Sequence, residues 1–292
     1  MRGAIGVGPL ALAALLSGGP LAARTVPTID TEDADLGSQQ VGDRRFHPVI
    51  GADVRNGDFA RGSYDDDAAS LDRLPVHAQL GFGWELHRDT ERRADAWLVG
   101  TSSNGFHAPA SSERTSPRGW YESNNLLGVV IEPAKGLRAG LAYAIKTSPN
   151  GVSATTHEAS LTAAYEAEHG LGILHPSFAA TVRPKGGHGV FTQAGIEPGF
   201  ALSAGEQAAK LSVPLRFGVG WRGFYEAGSG DVTYGSAGLA LSQPLALGGT
   251  RWQVRAEALA VVRDGTLRRL GSADAETSTV VPLVTIGAAL AL

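Results

Sequence analysis

The chain has 292 residues, with 25 Lys and Arg against 29 Asp and Glu, a formal net charge of −4 and no cysteine. The balanced charge and the lack of any basic run exclude the electrostatic footprint of a nucleic-acid-binding protein. The missing thiols exclude disulfides and thiol chemistry. Mean hydropathy is −0.04, far below that of a helical membrane protein, whereas a β-barrel averages one apolar and one polar face to near zero.

From the N-terminus, Met1-Arg2 leads into an apolar run from Ala4 to Leu16 and then the small-residue exit Leu21-Ala22-Ala23. A short charged start, an apolar core and small residues read as a Sec signal peptide, residues 1–23, cleaved after Ala23. Residues 24–44 carry Asp30, Glu32, Asp33 and Asp35 among few large apolar residues and read as a periplasmic lead-in. No later run is long and apolar enough for a helical span.

Residues 45–292 read as the barrel, and across the last two-thirds of the chain apolar residues fall at every second position, segment after segment. Leu137, Ala139, Leu141, Tyr143 and Ile145 alternate with Arg138, Gly140, Ala142, Ala144 and Lys146. Leu211, Val213, Leu215, Phe217, Val219 and Trp221 alternate in the same way. Successive side chains on a strand point to opposite faces, so each segment has one greasy and one polar or small face. Twelve strands follow, at roughly 45–54, 75–87, 93–103, 120–132, 136–147, 155–167, 172–183, 189–202, 209–222, 232–245, 250–262 and 279–292. Links after the even-numbered strands are short. Links after the odd-numbered ones are mostly longer and more polar, the longest being Arg55–Leu74, Asn104–Gly119 and Arg263–Ser278. The fold class is all-β: an antiparallel, up-and-down transmembrane β-barrel of about 12 strands, with both termini on the short-turn, periplasmic side. Trp84, Trp97, Trp120, Tyr121, Tyr143, Tyr165, Trp221, Phe224, Tyr225 and Trp252 lie mostly near strand ends, where rings form interfacial girdles.

On the alternation, the short and long links and the closing run Val284, Ile286, Ala288, Leu290 and Leu292, the chain resembles Gram-negative outer-membrane β-barrels of the small-porin type. The resemblance covers about Arg45 to Leu292 and is architectural. It implies Sec export to the outer membrane of a Gram-negative bacterium. It further implies contact with outer-membrane lipid and recognition of the last strand by the barrel-assembly machinery. Such proteins usually end in an aromatic residue; this chain carries Leu292 there.

Strand parity supplies the candidate site. Arg138, Lys146, Glu158, Arg183, Glu197, Arg216, Arg222, Arg255 and Glu257 fall on inward positions, since charges facing lipid near the midplane are costly. They read either as a charged channel wall or as internal salt bridges filling the barrel. Thr101-Ser102-Ser103-Asn104-Gly105 resembles Thr147-Ser148-Pro149-Asn150-Gly151. Thr101, Ser102, Asn104, Thr147, Ser148 and Asn150 thus form an outer-loop motif, read as a loop-entry device or as a ligand rim. Arg118-Gly119-Trp120-Tyr121-Glu122 and Arg222-Gly223-Phe224-Tyr225-Glu226 make a second recurring pair. Asp65-Asp66-Asp67 lacks the alternation of a calcium loop, and the eight histidines form no metal pattern. No metal or other cofactor is implied. His157 and Ser160 face opposite sides of one strand, and no Gly-x-Ser-x-Gly elbow occurs. The expectation is therefore a non-enzymatic, porin-like channel for small hydrophilic solutes. The alternatives are a non-conducting structural or adhesive barrel and, last, a barrel enzyme acting on lipid.

Overall fold

The computed structural model describes residues 25–27, 39–40, 44–57, 59–64, 74–88, 95–109, 111, 113–205, 207–226, 228–247, 250–269 and 278–292. The proposed signal peptide and the Asp65-Asp66-Asp67 cluster lie outside the described residues. Of the lead-in, Thr25–Val26 pairs antiparallel with Gln39–Gln40.

Twelve antiparallel strands make a closed barrel. They are β1 (Phe46–Arg55), β2 (Val76–Arg88), β3 (Asp95–Phe106), β4 (Trp120–Ala134), β5 (Leu137–Thr147), β6 (Thr156–Tyr165) and β7 (Ser177–Lys185), then β8 (Val190–Ile196, resumed at Gly199–Ala201), β9 (Lys210–Ser212, resumed at Leu215–Trp221), β10 (Val232–Leu247), β11 (Thr250–Arg263) and β12 (Val280–Ala291). Each strand pairs with its sequence neighbours. β12 returns to β1 in a register running from Thr285 opposite Arg55 to Ala291 opposite Val49, which closes the sheet and removes its edges. The interruptions in β8 and β9 fall at Pro198 and Pro214, which have no N–H for the ladder. The Val213 N–H bridges the gap by donating to the Pro198 carbonyl at 3.0 Å.

Two connection lengths alternate. The β4–β5 link is Lys135-Gly136 alone. Gly136 sits at φ +78°, and a Cβ there would lie 1.7 Å from the Glu166 carbonyl oxygen, so only glycine fits. One turn differs from the sequence reading. Residues placed at the start of β7 instead form a short 3-10 turn, Gly170–Leu174, and β7 begins only at Ser177. Ile173 and Leu174 read as strand by their apolarity, but His175 takes a left-handed φ of 46°, which ends any extended run ahead of Ser177.

The outside is apolar. Leu141 is 65% exposed and Phe217 55%, and Leu137, Leu215, Leu239 and Leu241 are exposed on the same face. So broad an apolar surface is stable against lipid, not water. Leu290 departs from this set. It is outward by parity yet only 8% exposed, flanked in register by Trp252 and Ile50. The aromatic girdle is also thinner than the sequence suggests. Trp97, Tyr121 and Phe224 are buried, because Trp97 is in phase with the inward Val99, and the chain turns Tyr121 and Phe224 over the lumen.

Candidate functional site

The interior divides by height. At the long-loop end it is filled. Glu158, at the outer end of β6, is 1% exposed. Its two carboxylate oxygens accept from Arg61 Nη1 and Nη2 at 2.8 Å each. Arg183 Nε donates to it at 2.9 Å, and Lys146 Nζ lies 3.4 Å away. Arg61 comes from the first outer loop, where Phe59–Ala60 pairs with Ser63–Tyr64 in a small hairpin. The loop therefore dips into the lumen. Its guanidinium lies over Phe191 and Phe224, 5.0 and 5.5 Å from their ring centroids, and Tyr225 donates its hydroxyl to the Arg61 carbonyl. Phe224, from the loop after β9, and Leu267, from the loop after β11, pack with Phe191, Val232, Tyr234, Val261 and Val281, with Phe59 against them. Three outer loops thus converge on one plug. Burial of its apolar side chains supplies the stability, and the bidentate Arg61–Glu158 pair supplies the register.

Below the plug, on the short-turn side, lies a cavity of about 670 Å³, inside the roughly 300–1,000 Å³ of small-molecule sites. Its wall runs from Phe59, under the plug, down to His175, Gln207 and Ala246 at the short turns. Among the described lining residues are six Arg or Lys and four Asp or Glu, an excess of two positive charges. Arg255 Nη2 donates to Glu197 at 2.9 Å and to Glu257 at 2.6 Å. Ser212 donates to Glu197 at 2.6 Å. Arg138 Nη2 reaches Glu166 at 3.2 Å. His175 Nε2 lies 3.8 Å from Glu166 Oε1. Burial, and then the positive charge of Lys210, hold the His175 imidazole below its ordinary value, against the opposing pull of Glu166 and Glu197.

Two strands on from Arg255, across Gly287, a polar chain begins at Asp53. Asp53 Oδ1 is 3.0 Å from His77 Nδ1, and His77 Nε2 is 2.7 Å from the Tyr121 hydroxyl. Asp53 also accepts from Arg55 at 2.7 Å. Asp53 and Arg55 line the cavity, whereas His77, 0% exposed, and Tyr121 lie behind that lining, so the chain ties β1, β2 and β4 together and presents only its Asp53 end to the lumen. His157 is bound on the outer surface to Tyr143 at 2.7 Å, while Ser160 points inward to Thr181 at 2.8 Å.

The nine parity-derived residues fall into three groups. Arg138, Glu197, Arg216, Arg255 and Glu257 line the cavity. Lys146, Glu158 and Arg183 form the plug's ionic cluster. Arg222 is corrected: it lies beyond β9 in an outer turn, exposed, at a left-handed φ of 47°, with its N–H donating to Asp231 at 2.9 Å. The strand ends one residue sooner than alternation alone suggests. The outer-loop motif is also relocated. Thr101, Ser102 and Asn104 are still within β3, whose pairing with β4 extends further than its apolar run. Thr147 donates to the Ser123 carbonyl and Ser148 to the Tyr121 carbonyl. Asn150 is fully buried, donating to Glu113 at 3.1 Å while its own carbonyl accepts from Arg114 and Thr115. These groups clamp the second outer loop onto the third. Sequence reasoning missed Arg61, His175 and Lys210. Arg61 sits in a turn with no periodicity, and His175 and Lys210 flank strand boundaries where parity loses its phase.

No protein-family model matches the chain, and no curated protein matches it in sequence. Among solved structures it is similar to LpxR from Salmonella typhimurium, at 8% identity and a TM-score of 0.44 over 83% of this chain and 99% of that one. It is also similar to the beta domain of the Bordetella autotransporter BrkA, at 9% identity and a TM-score of 0.40 over 84% and 98%. The first of these corrects the expectation that the chain is not an enzyme. A shared barrel fold does not by itself decide for or against catalysis, so it gives no ground for excluding it.

Proposed function

We propose that this outer-membrane-type barrel handles small hydrophilic solutes through its lumen, with its outer mouth closed by its own first loop. The observation that carries the reading is the charged cavity of about 670 Å³ that reaches the short-turn side and stops beneath the Arg61 hairpin. Its wall of charged and hydroxyl groups suits hydrated solutes, with selectivity set by width and by rows of charge. In this reading the leader directs Sec export, and β12 is the segment engaged by the barrel-assembly machinery.

Planar-bilayer recording of the folded full-length barrel tests it. The wild type is expected to be mostly closed. Arg61→Ala removes the bidentate anchor and should raise the open fraction or the single-channel conductance. The plug gives specific weight to a second reading, a non-conducting barrel, and the same recording separates the two. A correctly folded Arg61→Ala barrel that stays silent, as does a barrel lacking residues 59–64, would overturn the channel.

A further inference from the structure

The link between β6 and β7 is unlike its neighbours on the short-turn side. The β4–β5 link is Lys135-Gly136, and the one between β8 and β9, Ser203–Ala208, contains only small, amide and acidic residues. Both suit water. The 3-10 turn Gly170–Leu174 instead carries three large aliphatic side chains in five residues, and all three are exposed: Leu171 at 73%, Ile173 at 45% and Leu174 at 38%.

The exposure belongs to a fixed turn. The His175 N–H donates to the Gly172 carbonyl at 3.1 Å, and the Tyr165 N–H closes the base by donating to the Pro176 carbonyl at 2.9 Å. Gly172 is buried, and a Cβ there would lie 2.4 Å from Ala167, so this position packs inward while its neighbours do not. The Glu197 N–H donates to the Leu174 carbonyl at 2.9 Å, which lays the turn along the lower end of β8.

That contact makes the turn continuous with the lipid-facing surface. Three residues after Glu197 comes Phe200, 57% exposed. Phe200 stands opposite Leu211, and Leu211 opposite Leu241 of the outer apolar face. Residues paired across a sheet share a face, so the apolar outer surface runs without a break to the place where the turn is docked. Glu166, Glu168 and His169, all ahead of the aliphatic residues, are charged or polar; Glu168 and His169 are exposed. An apolar cluster bordered by polar groups matches the boundary between headgroups and acyl chains. Irregular backbone is tolerated there because water still reaches it, whereas it is not in the hydrocarbon.

We propose that the Gly170–Leu174 turn is a membrane anchor, seated at the headgroup–acyl boundary of the leaflet on the short-turn side, with Leu171, Ile173 and Leu174 in lipid. The residue that follows, His175, lines the cavity. A seated turn therefore fixes part of the cavity's lower rim against the bilayer. The proposal takes the barrel as membrane-spanning and is independent of conduction.

The chain has no cysteine, so single-cysteine variants carry one spin label each. Leu171→Cys, Ile173→Cys, Phe200→Cys and Lys135→Cys of the full-length barrel are labelled and refolded into phosphatidylcholine–phosphatidylglycerol vesicles. Electron paramagnetic resonance then compares collision with oxygen, which concentrates in lipid, and with a water-soluble nickel chelate. Labels at 171 and 173 are expected to favour oxygen severalfold over the label at 135, and to approach the label at 200. Two labelled positions keep the test open should one variant fail to refold. Nickel access at 171 and 173 equal to that at 135, with 200 in lipid, would overturn the anchor and leave the turn to a soluble partner. Nickel access at 200 as well would overturn the lipid-facing assignment itself. Low access to both reagents with dipolar broadening between labels would assign the turn to a second copy of the chain, and the anchor would again fall.

Discussion

Phe217 and His175 show how environment decides what one side chain contributes. Phe217 is on the apolar outer face, between Ala194 and Gly235 in register. A cation placed there faces hydrocarbon with no partner. Phe217→Arg should destabilise the barrel by about 2–4 kcal/mol if it lies near the bilayer midplane. Equilibrium unfolding from lipid vesicles measures this, and an unchanged midpoint would refute the assigned face. His175 sits in the turn before β7, near Lys210, Glu166, Glu197 and Arg138. Burial first, then Lys210, keeps its imidazole below the ordinary value of 6.5. The unfolded chain therefore takes up this proton at higher pH than the folded barrel. The stability contributed by the neutral ring is fully present above the unfolded value and is lost as pH falls through the folded one. An NMR titration of the folded barrel should place the His175 midpoint below 6.5. A midpoint at or above that value would show that the two glutamates dominate.

At the scale of elements, an ion cluster and a steric fit stand out among the contacts that hold the first-loop hairpin. Gly62 stands at φ +79°, and a Cβ there would come 2.6 Å from the Tyr234 ring. Gly62→Ala should therefore unseat the hairpin without touching any charge. The two ends of the ion pair are not equivalent. Arg61→Ala leaves Glu158 with Arg183 and Lys146, whereas Glu158→Gln leaves three cations around a neutral amide. Breaking a buried pair costs roughly 3–5 kcal/mol when a charge is left uncompensated. Glu158→Gln should approach that range and Arg61→Ala should fall below it, as read by equilibrium unfolding. Equal losses would mean that the apolar cluster, and not the charge, seats the plug.

For the whole molecule, the seam between β12 and β1 makes the barrel a closed object. Asn56 staples its outer end, donating to the Pro282 carbonyl at 2.9 Å and accepting from the Val284 N–H at 2.8 Å. These two bonds together contribute about 1–3 kcal/mol. Asn56→Ala should speed amide hydrogen exchange along β12 and β1 while leaving the β4–β5 hairpin unchanged. Uniform acceleration around the barrel would show that the seam does not open locally. Closure also explains why the charges sort by height. Once the outer loops fill one end of a cylinder, the inward residues below them remain the wall of the cavity.

Strand number, strand direction and most of the lipid-facing set, Leu290 excepted, were legible in the chain by itself. Each is a local property. A strand in a bilayer meets the same apolar medium along its whole length, so alternation at every second residue reports its outer face directly, and connection length reports which end is which. Leu141, Phe217 and Leu239 could be assigned outward with no knowledge of a partner strand. What fills the inside was not legible, since an inward arginine suits a water-filled wall and a salt-bridged plug equally well. Only the tertiary structure sends Arg138 and Arg255 to a cavity, Lys146 and Arg183 to a plug, and Arg222 to the outer surface. The deciding contact, Arg61 with Glu158, joins residues 97 positions apart. No periodicity links them, because a loop reaches its partner through space, after the barrel has closed around it.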